Sequence, residues 1–129
     1  MIIMKKKFVK TWKRSKQPRK QRKYRANAPL HIKHGFVGCH LSAELRKKYG
    51  KRKIGIRKGD KIKILRGQFK GKSGKVEKVN SKKTKVYITG IEIIKKDGTK
   101  MLYPIHPSNL LITELYLDDK MRSKALERK

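Results

Sequence analysis

Between Arg57 and Val76 the chain reads RKGDKIKILRGQFKGKSGKV. Ile62 and Ile64 alternate with charged residues, the period-two signature of a strand with one buried face, and the apolar beat returns at Val76. Between them lie Gly67, Gly71 and Gly74, three glycines within eight residues, with Lys70, Lys72 and Lys75 threaded among them. Glycine permits the positive-φ turns that side chains disfavour. A loop with few large side chains lets a flat or bulky ligand approach the main chain, and the lysines place positive charge there. The pattern predicts a nucleic-acid-binding loop carried on a small β-barrel.

Period-two stretches continue around that loop. Strands are expected at Lys61–Arg66, Lys75–Asn80, Lys85–Thr89, Ile91–Lys95, Lys100–Ile105 and Leu110–Thr113. Asn80–Thr84 reads as a turn, Asp97-Gly98 carries the hairpin signal, and Gly90 marks a bulge or a barrel corner. Pro104 and Pro107 end the regular ladder. Short, closely spaced strands predict a closed or nearly closed barrel, which removes exposed edges. Its core is expected from Ile62, Ile64, Val76, Val79, Val86, Ile88, Ile91, Ile93, Leu102, Ile105, Leu110 and Ile112. A domain of about 60 residues buries only about 60% of its unfolded surface, so modest stability is expected before binding.

Upstream, Ser42 can cap a helix over Ala43–Tyr49 that Gly50 stops. Glu44 in its first turn, followed by Arg46, Lys47 and Lys48, suits the helix dipole. Leu41 and Leu45 would face the barrel, leaving a basic face for phosphate. Downstream, Asp118 or Asp119 would cap a short helix around Lys120–Leu126. The expected organisation is a mainly β domain over 54–116, a basic arm over 1–40, a short helix and linker over 41–53, and a helical tail over 117–129.

Charge points to the partner. The 129 residues carry 39 Lys+Arg against 9 Asp+Glu, a formal net charge of +30. Such self-repulsion stabilises no isolated globular protein, so a polyanion is implied, nucleic acid before an anionic membrane surface. No apolar run approaches the roughly 18 residues a spanning helix needs, so no membrane insertion is expected. Met1-Ile2-Ile3-Met4 gives way to Lys5-Lys6-Lys7 too soon for a signal peptide. The lysine-dense, serine-poor N-terminus is unlike a transit peptide and is expected to stay in the mature protein. A single Cys39 excludes an intramolecular disulfide and fits a reducing compartment.

The first acidic residue is Glu44, and the apolar residues before it form no sustained period. Phe8 and Trp12 could share a helix face, but one pair does not offset the entropy of ordering the segment. Residues 1 to about 40 are therefore expected to be extended or disordered in isolation and to order on a partner. Tyr24, Tyr49 and Phe69, each beside basic residues, are candidates for stacking on bases; Phe69 alternatively plugs the barrel end.

From Lys58-Gly59-Asp60 through Gly67, Gly71 and Gly74 to Val76, the chain resembles a KOW motif, found in ribosomal proteins and transcription elongation factors. Gln17–Lys23, Ala28-Pro29-Leu30-His31, Leu41–Gly50, Asp97-Gly98-Thr99 and Pro104–Asn109 stand in the order of one family. With them the chain resembles the archaeal and eukaryotic form of large ribosomal subunit protein 24, numbered 26 in eukaryotes, over roughly residues 15 to 120. Met1–Arg14 lies outside that pattern, and Gly35–His40 departs from it. The resemblance implies an SH3-like barrel in a non-enzymatic constituent of the large subunit. Such a protein binds the 5′ part of large-subunit rRNA early in assembly and lies near the polypeptide exit tunnel. It implies a cytoplasmic, ribosomal location, neighbouring ribosomal proteins as further partners, a monomer within the ribosome, and no cofactor. It also implies RNA contacts from Arg66, Lys70, Lys72 and Lys75 in the loop and from Arg19, Lys20, Arg22, Lys23, Arg25 and His31 in the arm. Arg46, Lys47 and Lys48 would add the helix, and His106, Ser108 and Asn109 the turn after the last long strand.

Other readings have less behind them. A KOW-type transcription factor usually presents a separate globular domain first, and residues 1–53 lack the apolar pattern to build one. A chromatin-like DNA-binding protein would share the charge. His31, His34, Cys39 and His40 are close enough to suggest zinc, yet one cysteine and no CxxC pair favour histidines that face RNA, and no metal is expected. Glu114 with Asp118 and Asp119 is better explained by a helix N-terminus than by magnesium. The glycines lack the Lys-Ser/Thr and helix of a phosphate-gripping nucleotide loop, and no catalytic set is evident.

Overall fold

The computed structural model describes Phe8, Thr11, Trp12 and residues 14–128. Along the chain come α1 (Pro18–Asn27), α2 (Leu30–Phe36), β1 (Gly38–Leu41), α3 (Ala43–Tyr49), β2 (Lys53–Gly55), β3 (Lys61–Ile64), β4 (Ser73–Asn80), β5 (Lys85–Ile88), β6 (Glu92–Ile94), β7 (Lys100–Leu102), a 3-10 turn (Pro107–Asn109), β8 (Leu110–Glu114) and α4 (Lys120–Glu127). Alternation sets the sheet's two faces: Ile62 and Ile64 are buried while Lys61 and Lys63 are exposed. Ile62 sits opposite Ile112, and Ile64 opposite Leu110. The strand order is β2-β1-β8-β3-β4-β5, with β6–β7 as a separate hairpin. All neighbours are antiparallel except β1 and β8.

Nine of the twelve expected core residues are buried; Val79, Ile93 and Leu102 are half-buried, at sheet margins. Val37, Cys39, Leu41 and Ile56 join the same core. Six strands form one sheet whose outer strands, β2 and β5, do not pair with each other. Beyond β5, among the described residues, a single bridge, Val86 to Ile105, continues the ladder, with N–O distances of 2.8 and 2.9 Å. Pro104, lacking an N–H, cannot extend that ladder by donation. The expectation of a mainly β chain is corrected to mixed α/β, with four helices beside the eight strands among the described residues.

The arm differs most from expectation. Two helices and strand β1 occupy Pro18–Leu41, where no regular structure was expected. Pro18 opens α1 at a position that needs no N–H, and the Lys/Arg/Gln-rich turn that follows has good helix propensity. Tyr24 supplies what the Phe8–Trp12 pair lacked: its ring stacks on Trp12 at 4.4 Å and lies 5.0 Å from Phe8 and 6.2 Å from Phe36. The readings of Met1–Met4 as mature N-terminus, and of Lys5–Lys7, Lys10 and Lys13 as part of the arm, lie outside the described residues.

At the other end, α4 is anchored by a buried ion pair. Arg122 grips Asp60 with both Nη atoms, each at 2.6 Å, and also donates to the carbonyls of Tyr116 and Gly55. Asp60 accepts further bonds from the N–H groups of Arg57 and Tyr116. Asp119 caps α4 through the N–H of Met121. Leu126 is buried on the same helix, and Lys51 donates to the carbonyl of Ala125. Among the described residues no helix is long and apolar enough to cross a membrane.

Candidate nucleic-acid interface

The loop joining β3 to β4 is closed at its neck by two 2.8 Å bonds, Gly71 N–H to Ile64 O and Ile64 N–H to Lys72 O. Within it Lys70 N–H donates to the carbonyl of Gly67, and Lys72 N–H to that of Phe69. Gly67 and Gly71 have φ values of 100° and 88°, so glycine is required there by conformation. Gly74 serves differently. It lies in β4, and an added Cβ would stand 2.9 Å from both Ile88 and the Thr89 carbonyl, so its lack of a side chain lets β4 approach β5. Arg66, Lys70 and Lys72 are exposed on the loop, and Lys75 is exposed on β4. Phe69 packs half-buried on the core with Tyr103, ring centroids 5.0 Å apart, and Lys72 lies 5.1 Å over its ring.

The turn 106–109 docks on this loop. Leu65 N–H donates to Asn109 O at 2.8 Å, and Asn109 N–H to His106 O at 3.0 Å. His106 caps the 3-10 turn, its Nδ1 accepting from Ser108 N–H and lying 2.8 Å from Ser108 Oγ. Burial first, then the nearby charges of Lys85 and Arg25, hold the His106 pKa below the ordinary histidine value. Arg25, at the end of α1, thus belongs to the same electrostatic neighbourhood. Three segments distant in sequence converge here.

The remaining candidates are spread more widely. Arg19, Lys20, Arg22, Lys23 and Arg25 are all exposed on α1, and His31 is exposed on α2. In α3 the Ser42 cap accepts from Leu45 N–H, Gly50 stops the helix at φ 66°, and Lys47 and Lys48 are exposed. Arg46 is half-buried, its Nε bound to the Leu41 carbonyl, so part of its role is to hold helix to strand. Ser42 N–H bonds Ile112 O, which starts α3 toward the opposite end of β8 from the loop. The structure does not bring α3 and the loop together. Phosphate contacts at both places would require an RNA surface that wraps the sheet.

Neither acids nor histidines gather elsewhere among the described residues. Cys39 and His40, neighbours on β1, point to opposite faces, one buried and one exposed. Burial, then the charge of Asp60, pushes the Cys39 thiol up to about 12, and its Sγ is held 3.1 Å from the Leu110 carbonyl. Among the described residues no three His, Cys, Asp or Glu side chains cluster as a metal site. Asp119 pairs with Arg57 as well as capping α4. A larger cavity of about 910 Å³ lies away from the loop, lined by Ile56, Val79, Leu102 and Tyr116 among others. The sequence reading missed Lys85 and Tyr103 beside the turn and the Asp60–Arg122 pair. Their signal was three-dimensional: each is unremarked in its own segment.

A family model for ribosomal proteins, the eukaryotic proteins numbered 26 and the archaeal ones numbered 24, matches residues 15–129. Large ribosomal subunit protein uL24 of Methanosphaera stadtmanae is 50% identical over 115 residues, covering 89% of this chain and 98% of that relative.

Proposed function

The chain belongs to the family of ribosomal proteins numbered 26 in eukaryotes and 24 in archaea, and on that premise we propose how it serves the large subunit. It is a structural constituent of the large ribosomal subunit, not an enzyme, working in the cytoplasm with rRNA and other ribosomal proteins. As a single copy it binds the 5′ part of large-subunit rRNA early in assembly and lies near the polypeptide exit tunnel. The observation that carries the RNA reading is the joined loop and turn, fixed by the Leu65–Asn109 bond, which gathers cationic and hydrogen-bonding side chains at one end of the sheet. The transcription-factor alternative is set aside, because a ribosomal family model fits nearly the whole chain.

In this proposal the sheet acts as an SH3-like barrel, a reading supported by the Val86–Ile105 bridge beyond β5. The basic arm, the α3 segment, the sheet domain and the α4 tail then form successive parts of one contact surface. Arg66, Lys70, Lys72 and Lys75 meet phosphate from the loop side, with His106, Ser108 and Asn109 beside them. Arg19, Lys20, Arg22, Lys23, Arg25 and His31 follow an RNA groove, and Arg46, Lys47 and Lys48 reach a separate strand. Lysine acts as a point charge, whereas arginine binds phosphate bidentately or stacks on bases. Folded RNA is recognised through shape, splayed bases and the 2′-OH. Sedimentation tests the assignment: at endogenous level the protein is expected to travel with large subunits after a moderate-salt wash, and its release into the light fractions would refute it.

A further inference from the structure

Where the loop meets the turn there is a small pocket of about 180 Å³, lined by residues that include Arg66, Phe69, Lys85, Tyr103, His106 and Asn109. Pockets for drug-sized ligands run about 300–1,000 Å³. This one has room for a single flat ring system and not for a nucleotide cofactor. Its aromatic wall is firm, because Phe69 and Tyr103 meet each other at 60° and both pack against the hydrophobic core.

The polar side is equally specific. A backbone N–H can only donate, so the bond from Ser108 N–H to His106 Nδ1 leaves that nitrogen without a proton. The neutral ring therefore carries its proton on Nε2 and offers it as a donor. Asn109 makes its loop and turn bonds through its backbone, leaving the side-chain amide to offer both a donor and an acceptor. Arg66 and Lys85 supply positive charge at the rim.

We propose that this pocket seats one unstacked nucleobase of the rRNA, an inference that rests on the rRNA-binding reading above. Phe69 and Tyr103 form its apolar wall, His106 Nε2 and the Asn109 amide read its edge, and Arg66 and Lys85 hold the flanking phosphates. The chemistry selects this occupant. An apolar side chain would leave His106 and Asn109 unpaired, and a lone anion has no use for the aromatic wall. Single-stranded bases flipped from folded RNA satisfy both halves of the pocket.

The test is ultraviolet crosslinking in native large subunits, with nucleotide-bearing peptides located by mass spectrometry. Phe69 or Tyr103 is expected to carry a nucleotide from one fixed rRNA position. That base is expected to lose its protection from base-modifying reagents in subunits carrying Tyr103→Leu, and also in subunits carrying His106→Ala, which leaves the core intact. Crosslinks confined to the arm and the loop lysines would overturn the pocket while sparing the rRNA reading. No crosslink anywhere in the chain would overturn both.

Discussion

Asp60 illustrates how much one buried side chain can organise. Its carboxylate is fully buried and receives the Arg122 guanidinium together with two backbone N–H groups, tying the start of β3 to Tyr116 and α4. Both Nη atoms of Arg122 are engaged twice, and among the described residues only its Nε is buried without a partner. Removing one member of a buried pair strands the other charge. Asp60→Ala or Arg122→Ala is therefore expected to cost about 3–5 kcal/mol in urea unfolding, and replacing both with apolar residues should cost less. None of this was legible in sequence, because a lone acid in Lys58-Gly59-Asp60 gives no sign of a partner 62 residues away. His106 makes a second prediction at this scale. Its folded-state pKa is depressed, so the neutral ring's contribution to stability is complete above the ordinary imidazole value and is lost as pH falls through the depressed one. Nuclear magnetic resonance titration should find its midpoint below that of the unfolded chain, and Lys85→Gln, which removes a neighbouring positive charge, should bring it closer to ordinary.

At the scale of the element, the readings that held were those whose signals are local. The α3 helix was legible to the residue, since Ser42 caps it and Gly50 stops it within the same short stretch. The strand pattern of β3, β4, β5 and β8 was legible too, from alternation alone. Strands β1 and β2 were not, because they are short and their partners are remote: β1 lies between β2 and the distant β8. The helix α1 escaped for a similar reason. Its stability comes from Trp12 and Phe36 closing on Tyr24, contacts that no single segment displays. Tyr24→Ala is accordingly expected to reduce far-ultraviolet helical signal and shift the emission of Trp12, the chain's one tryptophan, while leaving the sheet's melting temperature nearly unchanged. A cooperative loss of the whole fold would show instead that α1 is integral to the core.

Across the whole molecule, four of the nine acids are spent on structure. Asp60, Glu114 and Asp119 sit in ion pairs with Arg122, Lys61 and Arg57, and Asp97 holds the β6–β7 turn through Thr99. With a net charge of +30, most lysines and arginines have no carboxylate to meet. Composition alone therefore revealed the class of partner, while the candidate site became legible only in part. The loop glycines and the turn could be named from sequence, but not their junction through Leu65 and Asn109, nor the separation of α3 from it. The decisive measurement is an equilibrium titration of the full chain with the 5′ portion of large-subunit rRNA across salt concentrations, beside an equal-length 3′ portion and duplex DNA. Tighter binding to the 5′ portion at matched salt is predicted, with each phosphate contact adding about −0.7 to −0.9 to the log–log slope and Arg66→Ala with Lys70→Ala making it shallower by roughly two such steps. Equal affinity for all three, with a slope unmoved by those substitutions, would contradict it.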